Sequence, residues 1–276
     1  MSPMIQVCSD SSAVLNAAAL ADHVAAQGAR LLFAIRIGEA VEGTVAAPNV
    51  PAAPGVRFIH VRPAEWYLTL AERPDTLDGP GDGPGEGGDA DVWGWDLRKV
   101  LRLLLRSNPM VWTWLSSPHV LADPAGVGDA LRRLAQEGYS RRALGHALWG
   151  EARKALTAFL DRGEAMTATK SLKAARALLA LRWLEAGGDL PPLPLDALMD
   201  QESLPPAVRA EIEAIRTTGI ETHPALYHWI NAELDTAAER CGALPEGSPD
   251  PAAADALYRT LLLPDIALTG AGDPRP

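Results

Sequence analysis

Basic residues recur at every turn of one segment of this sequence. Arg98, Arg102 and Arg106 lie four residues apart, and Lys99 stands beside them. Side chains four residues apart share one face of an α-helix, so the segment predicts a positive stripe. Guanidinium groups bind phosphate through paired hydrogen bonds, and such a stripe could meet a phosphate chain or an RNA backbone. The alternative interpretation is a solvated helix face opposite an apolar one.

The elements that would position these residues begin with a small set of strands. Apolar and β-branched residues predict strands at 31–37 and 56–61, and a shorter strand at 92–95. The first strand ends at Gly38. Between the first two strands, the stretch 46–55 carries three prolines and predicts a turn or a loop. This arrangement predicts that the first two strands are neighbours in one sheet.

The remainder of the chain predicts helices. Asp96 is a candidate N-cap for a helix over 97–107, which has an apolar stripe at helical spacing. Further helices are predicted near 109–116, 125–137, 140–162, 168–186, 205–218, 224–241 and 251–263. We therefore predict an α+β fold, with a small mixed sheet and flanking helices in residues 1–120 and an all-helical domain in residues 121–276.

The composition limits the classes of partner. The chain has 276 residues, of which 47% are hydrophobic, and its net charge is −10. A protein that coats nucleic acid needs net or locally dense positive charge, so extended nucleic acid is disfavoured as a partner. A small nucleotide, a protein partner and one local basic cleft all stay open.

The sequence also indicates a cellular compartment. It has no apolar run near the roughly 20 residues that a membrane-spanning helix needs, and residues 1–10 lack the pattern of a secretion signal. Its two cysteines, Cys8 and Cys241, form neither a disulfide framework nor a zinc-ligand spacing. We therefore expect a cytoplasmic protein that makes no membrane contact and has no zinc site.

Five sequence blocks carry a family resemblance. They are VRFIHVRPAEWYLTL (56–70), GWDLRKVLRLLLRSNP (94–109), WLSSP (114–118), YSRRALGHALWGEARK (139–154) and KSLKAARALLALRWLE (170–185). Over roughly residues 30–200 the chain resembles predicted nucleotidyltransferases of the DNA polymerase beta superfamily, of the type associated with RNA repair. The resemblance implies a small nucleotidyltransferase-like sheet that carries a nucleotide site and is backed by a helical domain.

The resemblance also implies a metal site, and here the sequence departs from the family. The usual pattern has a Gly-Ser pair after the first strand and an Asp-x-Asp pair just before the Val-Arg of the next. Those aspartates hold two divalent ions for nucleotidyl transfer. In this chain Gly38 is followed by Glu39, and the two aspartates fall on Ala53 and Gly55. Neither residue can bind a cation through its side chain, so we predict that the metal site is lost.

Other carboxylates are residual catalytic candidates. Asp91 matches the third carboxylate of the family, although an exposed acid at a strand edge is the alternative. Asp96 is a weaker candidate because it fits a helix cap better. Glu39 and Glu42 lie three residues apart and would share a helical face. A lone carboxylate cannot hold two metal ions, so none of these residues restores the site by itself.

The sequence pattern and the resemblance together mark candidates for nucleotide or phosphate binding. They are Gly38, Arg57, Arg98, Lys99, Arg102, His146, Lys170, Arg176 and Arg182. For the basic residues of block 170–185, ordinary charges on a helix surface are the alternative. A half-buried helix histidine is the alternative for His146.

Two main hypotheses of function follow. The first is a catalytically degenerate nucleotidyltransferase that binds a nucleotide or a protein partner, because the framework is retained while the metal ligands are gone. The second is an active Mg²⁺-dependent nucleotidyltransferase that acts on RNA, a small molecule or a protein through Glu39, Glu42 and Asp91. A structural helical adaptor that has no relation to nucleotides is a third interpretation.

Overall fold

A five-stranded sheet forms in the first half of the chain. The computed structural model describes residues 15–45, 55–80, 91–162, 167–200 and 204–263, so Ala53 lies outside the described residues. The strands are β1 (Arg30–Ile37), β2 (Gly55–Val61), β3 (Thr76–Asp78), β4 (Val92–Asp96) and β5 (Val120–Ala122), in the spatial order β3-β4-β2-β1-β5. The three predicted strands are confirmed as β1, β2 and β4. Strands β3 and β5 were not predicted, because three residues are too few to display an alternating pattern.

The pairing of β2 sets the geometry of one edge of the sheet. Strand β2 is antiparallel to β1, with Gly55 opposite Ile37, and it is parallel to β4, with Val56 opposite Val92. The predicted neighbour relation of the first two strands is therefore confirmed. Because β2 and β4 are parallel, their first residues lie at the same end of the strands, together with the last residue of β1. We refer to this end of the sheet, around Gly55, as the edge at Gly55.

Helices flank the sheet and then make up the rest of the described chain. They are α1 (Ala17–Ala26), α2 (Glu39–Glu42), α3 (Ala64–Tyr67), α4 (Leu97–Leu104), α5 (Pro109–Leu115), α6 (Val127–Gly138), α7 (Arg141–Arg162), α8 (Ala168–Glu185), α9 (Leu195–Met199), α10 (Pro206–Thr218), α11 (Pro224–Ala243) and α12 (Pro251–Leu262). All eight helices predicted from residue 97 onward are present, and the first of them ends at Leu104 rather than near Ser107. The short helices α2, α3 and α9 were not predicted. The predicted α+β class is confirmed, and the division at residue 120 stays a prediction.

The two faces of the sheet pack against different elements. On one face Val56 and Phe58 of β2 pack against Leu20 and Val24 of α1. On the other face Ile59 belongs to a larger hydrophobic cluster that continues into the C-terminal helices. Three tryptophans pack at this second face: the ring centroids of Trp95 and Trp114 are 4.3 Å apart, and those of Trp93 and Trp114 are 5.3 Å apart.

Helix α8 is the centre of the helical half. Its residues from Ala174 to Leu181 are all buried, including Arg176. A helix that is apolar on all sides needs neighbours all round. Helices α7, α9 and α11 contact α8 and provide this cover. Among the described residues, no helix is both long and apolar enough to span a bilayer.

A buried histidine lies beside the junction of β4 and α4. His60 is fully buried, and its Nδ1 is 3.9 Å from a carboxylate oxygen of Asp96. Neither ring nitrogen of His60 has a hydrogen-bond partner among the described residues. Asp96 is held by other groups, because the Tyr67 hydroxyl donates to it at 2.6 Å and the Arg98 N–H at 2.8 Å. Burial is the main cause, and the charge of nearby Arg62 a smaller one, of a pKa of His60 that is lowered from 6.5 to about 4.

This histidine predicts an acid-sensitive contribution to stability. The unfolded chain binds a proton near pH 6.5 that the folded chain binds only near pH 4. Stability is therefore lost as the pH falls through this window, by about 3 kcal/mol from His60. We expect His60→Leu to reduce this loss and to keep or raise stability at neutral pH, because two unpaired ring nitrogens are removed. Urea unfolding at several pH values measures both effects. An unchanged pH dependence in the variant would show that His60 is not the source.

Candidate functional site

An arginine side chain lies beside Gly55, the position of the second missing aspartate. Gly55 begins β2 beside Asp91, whose carbonyl accepts a 3.0 Å hydrogen bond from the N–H of Val56. The guanidinium of Arg57 is paired with the Asp91 carboxylate and lies over the Trp93 ring, 4.3 Å from its centroid. A Cβ atom on Gly55 would lie 3.2 Å from Nη1 of Arg57. A carboxylate at this position would therefore meet a cation that is already in place.

Arg57 is buried, whereas Asp91 is half exposed. The Arg57 side chain is 9% exposed and the Asp91 side chain is 57% exposed. Burial lowers the pKa of Arg57, and the hydrogen bond and charge of Asp91 oppose this effect. Since arginine is a very strong base, the guanidinium stays charged at neutral pH despite this lowered pKa. Asp91 therefore serves as the counter-charge of a buried cation.

Helix α2 lies at the same edge of the sheet and docks against α8. Gly38 has a φ of +117°, a value that favours glycine, and it allows the chain to turn from β1 into α2. The carboxylate of Glu39 is 2.7 Å from Nζ of Lys173. Glu42 is 3.8 Å from Nε of Arg176, and Arg176 is also 2.7 Å from a carboxylate oxygen of Glu151.

Glu42 is the poorly solvated acid of helix α2. Burial raises the pKa of Glu42, Arg176 opposes the rise, and Glu151 adds to it. Glu42 and Glu151 therefore share one buried guanidinium, that of Arg176. This arrangement holds α2 against α7 and α8.

The donor set at this edge does not fit a two-metal centre. Gly55 offers no side-chain ligand, and the three residual acids face three different cations: Asp91 faces Arg57, Glu39 faces Lys173, and Glu42 faces Arg176. Within the described ranges, no group of three histidine, cysteine or acidic residues could hold a metal ion. Hard cations such as Mg²⁺ need several oxygen ligands, and the described residues do not supply them together.

The candidates on α4 lie in a different place. Arg98, Lys99 and Arg102 line a cavity of about 580 Å³ whose opposite wall is the segment 66–75. The five-residue strand β4 separates the start of α4 from Asp91. Asp96 is the N-cap of α4, as predicted, since its carboxylate accepts from the N–H of Arg98.

The remaining candidates do not join either group. His146 is exposed rather than half-buried, and its ring centroid is 6.2 Å from that of Trp149. Arg182 binds Glu233 of α11 at 2.6 Å and is therefore a link between helices. Lys170 lies in the first turn of α8, where Thr167 caps its N–H.

Two partners of the candidate residues were not predicted. Lys173 and Glu151 bind Glu39 and Arg176, respectively. A signal for Lys173 was present, because it lies three residues before Arg176 on a predicted helix and therefore shares its face. The sequence contained no comparable signal for Glu151, which lies on a different helix.

Comparison with known proteins identifies relatives of this chain. The model of the RlaP family, described as the RNA repair pathway DNA polymerase beta family, matches residues 14–260. The uncharacterized protein YcgL of Bacillus subtilis (strain 168) is 30% identical over 188 residues, which are 68% of this chain and 69% of YcgL. A crystal structure of a nucleotidyltransferase-like protein from Exiguobacterium sibiricum 255-15 aligns with 76% of this chain and 69% of its own, at 13% identity and a TM-score of 0.30.

The shared guanidinium makes a prediction about stability. Removing Arg176 by Arg176→Met leaves Glu42 and Glu151 without their cation. We expect a loss of about 2 kcal/mol, which is below the roughly 3–5 kcal/mol of a fully buried broken pair because both acids keep some solvent. Adding Glu42→Gln should recover part of the loss, and so should a lower pH, since the raised pKa of Glu42 then allows protonation. Denaturant unfolding of the single and double variants measures the coupling.

Arg133→Met provides the matched control for this cycle. Arg133 is exposed on α6, and its removal should change the stability by less than about 0.5 kcal/mol. Strictly additive effects of Arg176→Met and Glu42→Gln would contradict the proposed sharing.

Proposed function

Since this chain belongs to the RNA repair pathway DNA polymerase beta family, we propose that it keeps the nucleotidyltransferase framework without metal-dependent catalysis and works by binding. Its ligand is a nucleotide or a protein partner, and its proposed location is the cytoplasm. The buried cysteine Cys241, which forms no disulfide with a described residue, suits a reducing compartment.

One observation carries this proposal: Gly55 offers no side-chain ligand, and Asp91, the acid beside it, is already paired with the Arg57 guanidinium. Two-metal nucleotidyl transfer needs carboxylates that hold cations at this point of the strand. Here a covalently attached cation lies against the glycine and pairs with Asp91, the remaining acid of the pattern. A divalent ion at this point would find a single carboxylate, and that carboxylate is already paired with Arg57.

The active alternative would have to recruit Glu39, Glu42 and Asp91. Each of these carboxylates is already paired with a different basic side chain. Recruiting them would break three ion pairs and would pull α2 away from α8. Because removal of one partner leaves the other charge poorly solvated, this rearrangement is unfavourable.

The binding role is supported by what the chain retains. The sheet, the α2 turn at Gly38 and the buried α8 form a continuous framework around the altered edge. The net charge of −10 argues against broad contact with extended nucleic acid. A compact ligand or a protein surface is therefore the better match.

The proposal predicts that nucleotides act on this protein independently of metal. Incubation with each labelled nucleoside triphosphate, Mg²⁺ or Mn²⁺, and RNA or cell extract should transfer no label above a control that contains a chelator. Any thermal stabilisation by a nucleotide should be the same with and without Mg²⁺. If the metal–nucleotide site were intact, nucleotide at a hundredfold excess over its Kd would raise the melting temperature by about 5 °C or more, and only when metal is also present.

Matched variants make this test decisive. Label transfer that disappears in Asp91→Asn or Glu39→Gln, but persists in Asp235→Asn, would establish the active alternative. Asp235 is exposed on α11 and serves as the control for loss of one surface carboxylate. The binding role is supported if the unmodified protein transfers no label and if its thermal stabilisation by nucleotide is the same with and without metal.

A further inference from the structure

The exposed face of α4 carries arginines without counter-charges. Arg98, Arg102 and Arg106 are exposed, and none of them forms an ion pair within the described residues. Some other arginines of the described chain pair with carboxylates; they are Arg57, Arg132, Arg142, Arg176, Arg182, Arg216 and Arg240. The α4 arginines are therefore available to an external anion.

Two cavities lie on either side of this arginine stripe. The first has a volume of about 580 Å³ and is closed on its far side by the segment 66–75. The second has a volume of about 560 Å³ and is lined mainly by apolar groups, among them Leu101 and Leu105. Arg98 and Arg102 border both cavities. Each volume is in the range of sites for small organic groups.

The local charge of the first cavity differs from that of the whole chain. Lys99 is 2.7 Å from Asp75, so these two charges cancel. Asp96 is satisfied by Tyr67 and by the N–H of Arg98. Of the other charged groups that line the cavity, four are arginines and one is Glu72. The first cavity is thus positive, although the protein as a whole is acidic, and the second contains one acid, Asp255, beside Arg98 and Arg102. We call the two cavities and the row of arginines between them the α4 groove.

The arrangement of the arginines is linear. A helix rises 1.5 Å per residue, so Arg98 and Arg102 are about 6 Å apart along the axis of α4, and Arg106 continues the line just beyond its end. A single phosphate group needs donors that converge on one point. A row of cations with cavities on both sides suits successive phosphates of a chain whose bases are unstacked.

We propose that the α4 groove binds a short segment of single-stranded nucleic acid. The arginines contact two or three successive phosphates, and a base enters the apolar cavity beside Leu101 and Leu105. A short segment agrees with the acidic surface elsewhere, which disfavours a longer contact. This site is distinct from the edge at Gly55, and the proposal holds whether or not that edge is catalytic.

The salt dependence of binding tests the proposal. Fluorescence anisotropy with a short labelled oligouridylate should show weaker binding as salt increases. For a single strand the slope of log Kobs against log salt is about −0.7 per phosphate, so we expect a slope of about −1.4 to −2. Arg102→Gln should reduce the slope by about 0.7, which corresponds to about fivefold weaker binding at 0.1 M salt.

Controls separate this outcome from other sources of binding. Arg98→Gln should act like Arg102→Gln, while Arg133→Gln removes an equally exposed arginine from α6 and should change neither the affinity nor the slope. All three variants should unfold at the same denaturant concentration as the unmodified protein. No binding at low salt, or an equal effect of Arg133→Gln, overturns the proposal.

Competitors identify the class of ligand. Unlabelled oligothymidylate should displace the probe as well as oligouridylate does, because the contacts are to phosphates. Equal displacement by polyaspartate would assign the groove to an acidic protein, and equal displacement by ATP at the same phosphate concentration would assign it to a mononucleotide. Either result overturns the proposal. Neither competitor result tests whether thermal stabilisation by nucleotides depends on metal. The proposal for the α4 groove and the proposed function can therefore fail independently.

Discussion

Strand β2 is buried along its whole length, and this burial determines what can lie around it. It hydrogen-bonds to β1 on one side and to β4 on the other, while its two faces pack against α1 and against the large helical core. A shift of one residue would exchange the two faces and would force Arg57 into the apolar contact with α1. The register therefore places Gly55 beside Asp91 and directs Arg57 across Trp93.

A charged group that is buried in the sheet needs a counter-charge within the protein. Burying a cation without compensation is costly, and Asp91 compensates Arg57 through a direct contact. The same principle applies one strand away, where Lys173 and Arg176 compensate Glu39 and Glu42. The edge of the sheet is thus neutralised by the side chains of the protein, where the family pattern has carboxylates and bound metal ions.

Two kinds of arginine lie at the two candidate sites and in the helical core of this protein. Arg57, Arg176 and Arg182 are wholly or largely buried, and each is paired and connects elements of the fold. The arginines of α4 are exposed and lie between two cavities. A paired buried cation contributes to the geometry of the fold, whereas an unpaired exposed cation can gain from an external anion. This difference assigns structural roles to the first class and ligand binding to the second.

The sequence by itself determined the local elements of this protein, and it predicts the loss of the metal ligands. Periodicity located the three longer strands and eight helices, and a single side chain, Asp96, marked the start of α4, because capping and amphipathic packing act between neighbours in the chain. The five sequence blocks indicated the family.

The tertiary structure alone decided which charges meet. Glu39 and Lys173 are far apart in sequence, as are Arg57 and Asp91, and no local pattern reports such pairs. The edge strands β3 and β5 form for the same reason, since they are held by neighbours and not by their own three residues. The sequence therefore proposed one site. The packing of the sheet against the helices divided most of its residues between a neutralised edge and an open positive groove, and it left His146, Lys170 and Arg182 outside both.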